Sequence, residues 1–179
     1  MAEIDPGVFE RARNGDREAF WTLILPYRGL VYSVAYAMLK DQEQAEDLLH
    51  DALVNAFRAL PNLRAPEKLP GWLYSMARNR AYEWLRKEQR TRRALMNSPR
   101  DWAAQKPPAG ETSESEAMLE SMEQALFRLP EPFRVLLAMK YTNRYSCREI
   151  AGILDISVPA VKSRLFEARK LLRKLTEAM

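Results

Sequence analysis

The 179-residue chain has one cysteine and one histidine. Cys147 alone excludes an internal disulfide framework and suits a reducing cytoplasm. With His50 the only imidazole, a His/Cys zinc site or a Ser-His-Asp triad is very hard to assemble. The N-terminal Met-Ala-Glu-Ile-Asp lacks the basic and apolar stretches of a secretory signal. The most apolar run, Gly29 to Leu39, is too short to cross a bilayer. No segment alternates with period two for long enough to argue a sheet. These absences leave an all-α protein, expected to be cytoplasmic, without membrane insertion, metal or cofactor. No catalytic constellation is visible, so it is not read as an enzyme.

What is present is a hydrophobic fraction of 47%, enough to bury a core, and a pI near 9.3 with uneven charge. Met1 to Arg58 holds ten acids and six bases. Trp72 to Arg93 holds seven bases and two acids, and Lys140 to Lys174 nine bases and three acids. Two basic islands on acidic ground suggest two separate nucleic-acid contacts. Within the acidic part, Asp41 to Phe57 carries five acids and neither Lys nor Arg.

The periodicity predicts helices nearly throughout. A short one covers Pro6 to Arg13, broken by Asn14-Gly15. Asp16 caps the next, whose stripe is Ala19, Phe20, Leu23, Ile24, Tyr27, Leu30, Val31, Val34 and Met38, with a kink at Pro26. The acidic helix has Ala45, Leu48, Leu49, Ala52, Leu53, Ala56, Phe57 and Leu60 at core spacing. A prolyl loop, Pro61 to Gly71, precedes a helix from about Trp72 to Ala94. Pro and Ser then accumulate, which reads as a flexible linker. Further helices are expected at Ser115–Arg128, Glu131–Lys140, Ser146–Leu154 and Val158–Thr176. The organisation is two small helical domains, 1–95 and 116–179, joined by a linker over 96–115.

The last two helices have helix-turn-helix spacing. Ile150, Ala151 and Leu154 point inward from the first, and Val161, Leu165, Ala168 and Leu172 from the second. The turn is Asp155-Ile156-Ser157, with Ser157 as N-cap and Pro159 in the first turn. Lys162, Ser163, Phe166, Glu167, Arg169 and Lys170 then face outward. Lys162 and Ser163 can hydrogen-bond base edges, and Phe166 can touch a thymine methyl. Arg148 and Arg164 read as phosphate contacts or solvated charge.

The helix from Trp72 presents Arg78, Asn79, Tyr82, Arg86 and Arg90 on one face: cations for phosphates and an aromatic for stacking. Trp72 and Tyr74 are either core anchors or stacking platforms. The loop before it, with Asn62, Arg64 and Lys68, can form a pocket for one base.

These units, in this order, resemble the bacterial sigma factors of the extracytoplasmic-function (ECF) group. The resemblance covers nearly the whole chain. It rests on Gly15-Asp-Arg-Glu-Ala-Phe, Ala45-Glu-Asp-Leu-Leu-His-Asp-Ala-Leu-Val-Asn-Ala-Phe, Gly71-Trp-Leu-Tyr-Ser-Met-Ala-Arg-Asn-Arg, and Leu129-Pro-Glu-Pro-Phe-Arg-Val-Leu-Leu before the helix-turn-helix. It implies a region-two bundle that binds core RNA polymerase and melts the −10 element, and a region-four helix-turn-helix that reads the −35 element of promoter DNA.

In that frame Asp47, His50, Asp51, Val54 and Arg58 would meet the polymerase. Asn62, Arg64, Lys68, Arg78, Asn79, Tyr82, Arg86 and Arg90 would meet the −10 strand. Arg148, Ser157, Lys162, Ser163, Arg164, Phe166, Glu167, Arg169 and Lys170 would meet the −35 duplex. An anti-sigma factor is a further expected partner. The sequence departs from the family at His50, often Gln, at Pro159-Ala160, often Gly-Thr, and at Glu167, often basic. Glu167 can accept from cytosine N4, which alters the expected −35 preference. Two alternatives are a sigma mimic that binds only an anti-sigma protein, and a helix-turn-helix regulator that never docks on polymerase. The basic faces argue against the first, and the acidic helix and prolyl loop against the second.

Overall fold

A computed structural model describes residues 4–96 and 114–177. Residues 97–113, most of the expected linker, lie outside the described residues. The described residues are helical, and no strand occurs among them.

The first unit holds α1 (Pro6–Arg13), α2 (Arg17–Ile24), α3 (Arg28–Leu39), α4 (Gln42–Ala59) and α5 (Leu69–Met96). Each early boundary has a local cause. Asp5 accepts from the backbone N–H of Gly7 and Val8, and Pro6 needs no donor at that position. Gly15, at φ 90°, turns the chain, and Asp16 then accepts from Ala19 N at 3.0 Å. Pro26 interrupts the long stripe as predicted: a 3₁₀ turn, Leu25–Tyr27, separates α2 from α3. Lys40 closes α3 in the left-handed region, and Asp41 caps α4. All six apolar positions predicted for α4 from Ala45 to Ala56 are buried. Phe57 is half-buried and stacks edge-on against Phe20, with ring centroids 5.1 Å apart.

Read as one helical stretch, Arg17–Leu39 is long and apolar enough, by length and composition, to cross a membrane. The shorter run recognised in the sequence understated it. Most of its apolar residues are core residues here, with 61% of the window buried, Trp21 and Leu25 being the exposed exceptions.

The second unit holds α6 (Glu114–Arg128), α7 (Glu131–Leu137), α8 (Cys147–Leu154) and α9 (Val158–Glu177). The helix expected over Glu131–Lys140 ends instead in a π-helical turn, Ala138–Thr142. Ser146 and Glu149 form a capping box at α8. Asp155 adopts φ 53°, which makes the tight turn into α9. Ile153 is buried where Leu154 was expected inward, and Leu154 and Leu172 are only half-buried.

The units are helical domains, as the sequence reading has it, but they are docked rather than held apart. One hydrophobic cluster runs through both, from Leu30 and Met38 of α3 to Leu137, Met139 and Ile153. The reason lies in α3. Beyond its predicted stripe, Ser33, Ala35, Ala37 and Leu39 are buried too. A helix buried all round needs partners on every side; α4 and α5 cover one side, and α7 with its π turn covers another.

Candidate nucleic-acid and partner interfaces

The exposed side of α4 presents Asp47, His50, Asp51, Val54 and Arg58 together. Asp51 does not stand alone: Arg80 Nη2 of α5 lies 3.2 Å from its Oδ2. Two residues that sequence reasoning missed adjoin this face. Trp21 is 54% exposed and Leu25 64%. Trp21 shares a groove of about 400 Å³ with His50, Val54 and Arg58, and one of about 810 Å³ with Leu25, Glu46 and His50. The signal was available: both residues fall off the stripe that α2 buries, as Val54 does on α4. The result is an exposed apolar patch whose grooves are lined by Arg17, Arg28, Arg58 and Glu46, with Asp47 and Asp51 exposed on the same helix as Val54; a patch of this kind marks an interaction surface.

The prolyl loop is two 3₁₀ turns, Leu60–Asn62 and Pro66–Lys68, pinned at its ends by fully buried Leu60 and Leu69. Asn62, Arg64 and Lys68 are exposed on it. On α5, Arg78, Asn79, Arg86 and Arg90 are exposed, whereas Tyr82 is half-buried. The Arg78 guanidinium stands 5.2 Å from the Tyr82 ring centroid. The Tyr82 hydroxyl donates to Glu131 Oε2 of α7 at 2.7 Å. Trp72 and Tyr74 are half-buried against the core, and burial pushes the Tyr74 phenol up.

On α9 the candidate recognition surface faces outward. Lys162, Ser163, Arg164, Glu167 and Lys170 are exposed, and Phe166 is 64% exposed. Arg148 is exposed on α8. Ser157 and Arg169 are exposed as well, and each also makes a local bond. Ser157 Oγ serves as the N-cap, accepting from Ala160 N at 3.3 Å. Arg169 Nε donates to Leu165 O, and its side chain lines a cavity of about 460 Å³ between the units. Tyr32, Tyr36, Phe127 and Leu137 give that cavity a mostly apolar wall. At its edge Arg134 donates from Nε to Ala37 O at 2.6 Å and from Nη1 to Leu129 O.

Two family models match the chain: Sigma-70 region 2 over residues 23–91 and Sigma-70, region 4 over residues 119–172. A region-two bundle followed by a region-four helix-turn-helix defines a bacterial transcription initiation factor of the sigma class. The relatives narrow the class. The chain is 30% identical to the ECF RNA polymerase sigma-E factor of Escherichia coli, over 94% of this chain and 92% of that one. It is 28% identical to the RNA polymerase sigma-H factor of Pseudomonas aeruginosa, over 99% and 96%. The fold is that of the sigma factor RpoE of Bartonella quintana, solved with the anti-sigma factor NepR, at TM-score 0.64, 22% identity, and 89% and 98% coverage. The chain therefore belongs to the ECF RNA polymerase sigma factors, which bind core polymerase and promoter DNA to start transcription.

Proposed function

We propose that the three exposed faces divide the work of initiation. The α4 face, extended by Trp21 and Leu25, docks on a basic, partly apolar surface of core RNA polymerase. The loop from Asn62 to Lys68 and the basic face of α5 hold the −10 strand. Stacking and a base pocket offset the few kcal/mol that unstacking each base costs. Lys162, Ser163, Phe166 and Glu167 read the −35 duplex in the major groove, with Arg148, Arg164 and Lys170 on phosphates. The domain limits that fit this division are 1–95 and 116–179. The chain makes and breaks no bond itself; it positions the polymerase, in the cytoplasm. An anti-sigma protein is its regulatory partner, and the apolar cavity between the units is a fitting seat for one of its helices.

The observation that carries this reading is the segregation of exposed charge: acids around apolar residues on α4, cations on α5 and α9. Core polymerase binding tests it. The full chain should form a stable complex, and Asp47→Lys with Asp51→Lys should weaken it. A double variant that binds as tightly as the parent removes α4 from the interface.

A further inference from the structure

The first helix, α1, has no part in the three faces described above, yet its last residue bonds to the strand-binding loop. Phe9 and Ala12 seat α1 in the core, each 1% exposed. Arg11 Nη2 lies 2.6 Å from Asp16 Oδ2 and ties α1 to the start of α2. Arg13 is held from three sides. Its Nη1 donates to both carboxylate oxygens of Glu10, at 2.8 and 3.1 Å. Its guanidinium carbon stands 5.7 Å from the Phe9 ring centroid. Its Nη2 donates to the carbonyl oxygen of Pro61, 48 residues away, at 3.3 Å. Arg13 Nε is buried with no acceptor among the described residues, a cost offset by the bonds the fork makes at Glu10 and Pro61.

Pro61 is a position where such a bond has leverage. The proline ring fixes φ at about −65°, so ψ is the one soft dihedral left to aim the next residue. The carbonyl swings with ψ, and a bond to the carbonyl holds ψ. The next residue is Asn62, the first of those proposed to hold the −10 strand. The carbonyl also lies in the 3₁₀ turn that ends α4, where the last acceptors have no donor within the helix. Inside the loop, Leu63 N reaches Leu60 O at 2.9 Å and Lys68 N reaches Ala65 O at 3.1 Å. Among the described residues, no side chain but Arg13 bonds the backbone between Leu60 and Leu69.

We infer that Arg13 is a positioning residue for strand recognition: by holding the Pro61 carbonyl it sets the direction of Asn62, and with it the base that the loop selects. Arg13 itself stays off the strand, engaged with Glu10 and Phe9. The inference rests on the strand-binding role proposed for the loop from Asn62 to Lys68.

The test uses the full chain bound to core polymerase, with fork-junction DNA whose non-template strand is randomised across the −10 element. Sequencing the bound DNA gives a base preference at each position. Asn62→Ala should flatten the preference at one position. Arg13→Ala should flatten the same position about tenfold, the change expected from one lost charged hydrogen bond, and leave the others at parent values. Arg13→Lys should restore overall affinity without that preference, because one ammonium cannot hold Glu10 and Pro61 as the fork does. Glu10→Ala, which frees the guanidinium from its anchor, should flatten the position about twofold. In the free chain, Arg13→Ala should speed amide exchange of Leu63 about tenfold and leave α9 unchanged. An Arg13→Ala complex that keeps the parent preference, or a chain with unchanged Leu63 exchange, overturns the inference. So does an equal loss at every position, or full restoration by lysine, since either makes Arg13 a matter of fold or charge alone. If Asn62→Ala flattens no position, the loop's strand-binding role falls and the inference with it. If Asn62→Ala flattens one and Arg13→Ala does not, the inference falls alone.

Discussion

Arg80 of α5 and Asp51 of α4 form an ion pair at 3.2 Å that ties the basic helix to the acidic one. Both side chains are about half exposed, at 41% and 51%, and Arg80 also bonds Glu83 at 2.9 Å. An exposed pair of this kind is worth about 0–1 kcal/mol. A double-mutant cycle on Asp51→Ala and Arg80→Ala, followed by urea unfolding, should give a coupling energy within that range. Any larger effect of Asp51 on polymerase binding would then belong to the interface and not to folding.

Trp21 is the strongest candidate anchor on the polymerase face. A large exposed aromatic in an apolar groove is the type of residue that dominates interfaces, and truncating one costs about 2 kcal/mol or more. Trp21→Ala should therefore lower core-polymerase affinity by roughly thirtyfold, measured by titration calorimetry, with the helical circular dichroism unchanged.

Base-reading and phosphate contacts proposed for α9 separate by salt. Lys162→Ala with Phe166→Ala should cost about 1–3 kcal/mol of discrimination between cognate and scrambled −35 duplexes. Arg164→Ala should weaken both alike and reduce the slope of log affinity against log salt by about one.

Two substitutions probe the helix-turn-helix itself. Ser146→Ala removes the α8 cap and should cost about 1 kcal/mol. Asp155→Val places a β-branched side chain at φ 53° and should cost about 1–2 kcal/mol. The urea midpoint checks both.

Tyr36 gives the contact between the units a pH signature. Burial first, and then its hydrogen bond to Glu123, push the phenol up to about 12 from 10.0. The folded value lies above the unfolded one, so the stabilisation is complete below about pH 10 and is lost as pH rises toward 12. An ultraviolet titration of the native protein should show a late-ionising tyrosine that Tyr36→Phe removes.

Local features were the legible ones. Asp16 and Ser157 mark helix starts because a capping carboxylate or hydroxyl works within three residues of itself. Pro26 and the α4 stripe follow from the same short-range rules. The docking was less legible, since a stripe shows that a helix is buried but not by what. Its signal was the surplus of small and apolar residues on α3, Ala35 and Ala37 above all. The displacement of Ile153 over Leu154 reflects the same docking: α8 packs on α5 near Gly71 as well as on α9. Trp21 and Leu25 carry no charge signal; an interface patch of this kind announces itself by apolar residues off the stripe.

The central claim is that this chain turns core RNA polymerase into a promoter-specific enzyme. Transcription of fragmented genomic DNA by purified core polymerase, with and without the full chain, tests it directly once the transcript starts are mapped. The account predicts new starts that appear only with the protein and share sequence elements about 10 and 35 base pairs upstream, with Lys162→Ala/Phe166→Ala blurring only the distal one. Starts that are unchanged by the protein, or that share no upstream element, would contradict it.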